Sequence, residues 1–115
     1  MNKPGIETAI PKRRYKLGEF TLTVLGDIDS NDGVDYVYIA AVIQGQDPEP
    51  GIYITAEQDG QGQAGEYSMR FIMRNGEEVI GRSDRWGDLG AFVDEVLGVV
   101  SRVLSLSDEI PYQLM

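Results

Sequence analysis

Hydrophobic positions recur with helical spacing in one long stretch, Trp86 to Leu106. At roughly 100° per residue, Trp86, Leu89, Phe92, Val93, Val96, Leu97, Val99, Val100, Val103 and Leu104 fall in one arc. Asp88, Asp94, Glu95, Ser101 and Arg102 take the opposite side. The pattern predicts a core helix of about 20 residues, roughly 30 Å long, lying on a sheet. Asp84 or Asp88 is placed to cap its start. Five valines between Val93 and Val103, and glycines at 87, 90 and 98, make it a weak helix former, so packing must hold it. Its regular, mainly acidic polar face argues against a membrane span and against a membrane-surface helix.

Elsewhere the period is two. Met1 to Pro11 has no period, and residues 1–13 are expected to be an extended basic N-terminal tail before a single α+β domain at 14–115. Arg14 to Leu25 sets Phe20, Leu22 and Val24 against Thr21 and Thr23 and reads as the first strand, with Gly18-Glu19 marking a bulge or a late start. Tyr36 to Gln44 is apolar on both faces, as a central strand covered on both sides would be. Ile52 to Glu57 is the third strand, and Glu66 to Arg74, with Tyr67, Met69, Phe71 and Met73 on one face, is the fourth. Asn75-Gly76 predicts a type I′ hairpin into a fifth strand, Glu77 to Arg82. That turn would set Arg74 opposite Glu77, Ile72 opposite Val79 and Phe71 opposite Ile80. Ser107 to Met115 reads as irregular. The sum is an α+β fold: a five-strand antiparallel β-meander with one long C-terminal helix packed on one face.

Composition then removes function classes. The 115 residues include no cysteine and no histidine. Thiol nucleophiles, thiolate metal sites, Ser-His triads and the usual general base near neutral pH are therefore excluded. No carboxylate pair stands out among the nineteen acids, and the expectation is that the protein is not an enzyme and carries no cofactor. The net charge is −9. Lys3, Lys12, Arg13, Arg14 and Lys16 crowd the first sixteen residues, and the remainder sets five arginines against eighteen acids. So acidic a body repels nucleic acid, and the basic lead-in offsets the body's own charge. No apolar leader segment is visible in the first sixteen residues, so a cytoplasmic protein without membrane contact is expected.

Two motifs carry candidate chemistry. Gly60-Gln61-Gly62-Gln63-Ala64-Gly65 satisfies G-x-G-x-x-G, but a strand rather than a helix follows it, so it reads as a hairpin loop and not a dinucleotide site. In the acidic turn 27–35, Asp27, Asp29, Asn31, Asp32 and Asp35 are candidate calcium ligands. The turn is similar to the D-x-N-x-D-G-x-x-D calcium turns of β-propeller FG-GAP repeats, with the spacing displaced by one residue on either side of Gly33. As an EF-hand loop it lacks Gly at the sixth position and Glu at the twelfth, where Asp32 and Tyr38 stand, so it reads first as an acidic turn between strands.

One helix shields only two or three strands, which leaves apolar surface for a partner. The leading expectation is a small acidic protein-interaction module, a homodimer or adaptor whose partner is a protein, possibly itself. Candidate interface residues are Thr21, Thr23, Tyr53, Thr55, Arg70 and Ile72 on the outer sheet face, and Phe92, Val99 and Val103 on the helix. One alternative is a small-ligand pocket between helix and sheet, lined by Tyr67, Met69, Phe71 and Trp86. Another is an acidic inhibitor or chaperone-like protein that binds a basic partner.

Overall fold

A computed structural model describes residues 3–58 and 66–115. It is α+β, with an antiparallel sheet of seven strands rather than five. In chain order these are β1 (Ile6–Leu17), β2 (Phe20–Ser30), β3 (Tyr36–Gln44), β4 (Ile52–Gln58), β5 (Tyr67–Met73) and β6 (Gly76–Ser83). A short 3-10 turn (Asp84–Gly87), the helix α1 (Leu89–Val103) and β7 (Tyr112–Gln113) follow. The spatial order is β6-β5-β4-β3-β2-β1-β7, so the chain meanders across the sheet and its C-terminal segment returns beside β1.

Both extra strands come from segments without period. The expected tail supplies two thirds of β1, which pairs with β2 from Ile6↔Ser30 to Leu17↔Phe20. Three register irregularities between Ile6 and Arg13 erase the alternation that would have marked a strand. The expected first strand is in fact a hairpin. Gly18 takes φ +59° at the first position of the two-residue turn Gly18-Glu19, where a type II′ turn calls for glycine. At the other end of the chain, Tyr112 and Gln113 pair with Lys16 and Tyr15.

The Asn75-Gly76 hairpin turns one residue earlier than expected, which displaces the cross-strand pairing by two residues. Arg74 and Asn75 make the turn without positive φ, and Met73 pairs with Gly76. Ile72 therefore faces Glu77, Phe71 faces Glu78 and Arg70 faces Val79. A bulge at Ile80 restores pairing at Met69↔Gly81. This register is the one that brings Glu77 within 2.9 Å of Arg70.

Helix α1 begins three residues later than its periodicity suggests. Asp88 caps it by accepting from the Ala91 amide at 2.9 Å. Trp86 stays buried, but on the preceding 3-10 turn, which Ser83 caps. Gly87 lies flat on the Tyr67 ring, so close that a Cβ would stand 2.7 Å from the hydroxyl oxygen. The helix ends in a Schellman pattern, with Leu106 N–H donating to Ser101 C=O and Ser105 N–H to Arg102 C=O. Ser105 takes φ +55° there, in a conformation that suits glycine better.

Phe92, Val93, Val96, Val99 and Val100 share one core with Leu22, Val24, Ala40, Val42, Ile52, Ile54, Ala56, Met69 and Phe71. Phe92 stacks on Tyr38 with ring centroids 5.5 Å apart. Full burial of a side chain such as Phe92 contributes about 2–3 kcal/mol, which offsets the weak helix propensity of the valines.

Candidate functional site

The sheet face away from α1 holds the densest polar network. Pairing registers line up Leu25, Ile39, Thr55, Arg70 and Val79 in one row across that face. The next row is Thr23, Ala41, Tyr53, Ile72 and Glu77. Cross-strand partners share a face, so both rows point away from the helix. A register irregularity at Val37 turns Tyr36 onto the same side, opposite Glu57, while Tyr38 faces the helix.

Arg70 is the centre of the network. Its Nε donates to Glu57 Oε2 at 2.7 Å, Nη1 to Glu77 Oε2 at 2.9 Å and Nη2 to the Tyr36 hydroxyl at 3.1 Å. Thr55 donates to the same Glu57 oxygen at 2.5 Å. The Tyr36 hydroxyl donates in turn to Asp32 Oδ2 at 2.6 Å. Asp32 also accepts from the Gly5 amide at 2.8 Å and the Val34 amide at 3.0 Å. One chain of bonds thus ties the residues before β1, the 31–35 turn, β3, β4, β5 and β6.

The charge states follow from this geometry. Burial works against the Arg70 cation, but the carboxylates of Glu57 and Glu77 outweigh it and raise its pKa. Burial, then the hydrogen bond to Asp32 and its charge, push the Tyr36 phenol well above its ordinary range. Burial would raise Asp32, but hydrogen bonds from Tyr36, Gly5 and Val34 prevail and hold it below the usual carboxylate value. Beside this network lies a cleft of about 390 Å³, lined in part by Asp35, Glu57, Ser68, Arg70, Val79 and Arg82. Among the described residues no buried side-chain polar atom lacks a partner. The cluster is a brace between strands that sets one cation among the carboxylates of Glu57, Glu77 and Asp32, with the Arg70 guanidinium occupied on each of its three nitrogens.

The acidic turn does not gather its oxygens. Asp27 lies in β2, at φ +48°, and pairs with Lys12 at 2.6 Å. Asp29 accepts from the Thr8 hydroxyl at 3.0 Å, and Asp32 belongs to the Tyr36 network. Among the described residues no three acidic side chains converge as a metal site would require. The G-x-G-x-x-G motif at 60–65 falls outside the described residues.

The candidate interface residues separate into two groups. Thr21, Thr23, Tyr53 and Arg70 lie half-buried on the face away from the helix, and Val103 is 50% exposed. Phe92, Val99, Thr55 and Ile72 are buried within the chain itself, so they offer no surface to a partner. The helix points Phe92, Val93, Val96, Val99 and Val100 inward, and Ile72 is hidden among its neighbours on the sheet. Of the residues expected to line a ligand pocket, Met69, Phe71 and Trp86 are buried in the core and Tyr67 packs against it. An apolar groove of about 240 Å³ lies at the opposite end of the helix, bordered by Phe20, Val42, Ile52, Met73 and Leu104. Tyr36, Glu57 and Glu77 were not singled out in the sequence. Their signal, an arginine flanked on adjacent strands by acids of the same face, emerges only once the pairing register is known.

No family model matches this chain, and neither a curated protein nor a solved structure matches it. No helix among the described residues is long and apolar enough to cross a membrane.

Proposed function

We propose that the protein is a small acidic interaction module that acts as a homodimer, with the edges of its sheet as the contact surfaces. The supporting observation is where exposed apolar side chains fall. Val79 and Ile80 on β6 are 58% and 40% exposed, and Met73, at the hairpin end of β5, is 40% exposed. At the opposite edge, Ile10, Tyr112, Leu114 and Met115 are exposed as well. The face away from the helix, by contrast, keeps Ile39 and Ile72 covered completely. Exposed apolar groups gathered along the edge strands of a sheet suit recognition by strand addition.

Light scattering at micromolar concentration tests this reading. The expected mass is twice the 12.7 kDa of one chain. A single-chain mass across the whole concentration range would overturn it.

A further inference from the structure

We infer that β6 is the strand at which the second copy joins, the two β6 strands pairing antiparallel about a two-fold axis between Val79 and Ile80. The inference rests on the homodimer reading and adds where and how the copies meet.

The two edges of the sheet are unequal. Along β1, Pro11 removes a backbone donor, three irregularities distort the strand, and Lys12 and Arg13 add charge. Its far end is already covered by β7, and Leu114 N–H and Met115 C=O bond to the backbone of Arg14. Each of these devices discourages pairing with another chain. β6 runs eight residues with no proline, and it is the last strand in the sheet order.

The order of residues in β6 is self-complementary. A two-fold axis between Val79 and Ile80 sets Val79 opposite Ile80 of the second copy, Glu78 opposite Gly81 and Glu77 opposite Arg82. Residues five apart on a regular strand point to opposite faces, which would spoil the last pair. The bulge at Ile80 removes that obstacle. Glu77 pairs with Ile72 and Arg82 with Ser68, and both partners lie on the face away from the helix. Glu77 and Arg82 therefore share that face, and each copy contributes one acid–base pair across the axis. The bulges meet each other at the centre, so neither strand carries an unmatched residue. Parallel pairing would instead set Glu77 against Glu77 and Glu78 against Glu78, an unfavourable arrangement. The two apolar side chains most exposed on β6 are buried at the middle of the joint, and both helices lie on the same side of one continuous sheet.

The chain has no cysteine, so a disulfide reads the register without background. Glu77→Cys and Arg82→Cys chains are prepared separately, checked by circular dichroism, mixed and mildly oxidised. Directly opposite positions lie within disulfide reach, whereas position 77 of one copy stands about 17 Å along the strand from position 77 of the other. Cross-linked dimers joined 77 to 82 are expected in the mixture and not in either variant alone. Ile80→Lys, at a position exposed in the single chain, provides the second arm. It should stay folded and dissociate at least about tenfold more readily. A wild-type dimer with no 77–82 cross-link, or one that Ile80→Lys leaves unchanged, would overturn pairing at β6 and leave the homodimer reading standing. A wild-type chain that is monomeric under the same conditions would overturn both.

Discussion

On the covered face of the sheet, Leu22, Val42 and Ile54 are hidden in a core shared with Phe92, Val96 and Val100 of the helix. On the other face, Ile39, Thr55 and Ile72 are hidden just as fully, although no helix or second sheet among the described residues lies over them. The first face excludes water with a layer of its own. The second carries the Arg70 network, which bonds Thr55 through Glu57 and ties β3 to β6. Sheets solvated on one face usually alternate cleanly between apolar and polar positions. β3 departs from this because both of its faces are buried by different means, and that is why it reads as apolar throughout.

The comparison breaks hardest at the helix. Val100→Asp places a carboxylate where the side chain is 1% exposed. It should cost at least about 4 kcal/mol, enough to abolish a cooperative thermal transition in a domain of ordinary stability. A folded Val100→Asp chain would mean that this face is not core. On the other face, Arg70→Met strands Glu57, whose side chain is 16% exposed. The expected loss is about 2 kcal/mol by urea unfolding, below the figure for a fully buried pair because water still reaches both groups. Adding Glu57→Gln should recover part of that loss, since it removes the uncompensated charge. If Arg70→Met costs nothing, the network does not brace this face.

A smaller effect lies in the pH dependence. Asp32 is held below its ordinary value of 3.8, so the stability it contributes is present above that value and is lost as pH falls through the depressed folded-state pKa. Tyr36 is shifted the other way, so its contribution is present below the ordinary phenol range and fades as pH rises through it. Urea midpoints should therefore fall more steeply between pH 6 and pH 3 for wild type than for Asp32→Asn. Parallel curves would remove Asp32 from the network that steadies the open face.

The legible parts of the sequence were those governed by local repetition. The arc of α1 from Phe92 to Val100 turned inward as its spacing required, and β3 to β6 lie close to the segments expected for them. Trp86 shows the limit of that method, for it joins the core although Asp88 starts the helix after it. β1 was illegible because its irregularities destroy the alternation, and β7 because two residues carry no period. The Arg70 network was hidden for a different reason. It depends on a turn one residue earlier than Asn75-Gly76 suggests, which moves the first partners on β6 by two residues, so that Ile72 meets Glu77 instead of Val79. The calcium candidates were legible as a cluster only along the chain. β2 continues through Asp27 and Asp29, which spreads their carboxylates along an edge of the β1–β2 hairpin.

Val79 and Ile80 stay exposed on the edge strand β6, and it is there that a second chain is proposed to add its strand. Backbone amide hydrogen exchange at two concentrations, one favouring dimer and one favouring monomer, tests this most directly. Strand addition creates new backbone hydrogen bonds, and stacking of faces does not. Added protection is expected within residues 77–82 at the higher concentration, with β3 and β4 unchanged. Dimer formation without added protection in β6, or with protection confined to β1, would contradict strand addition at β6.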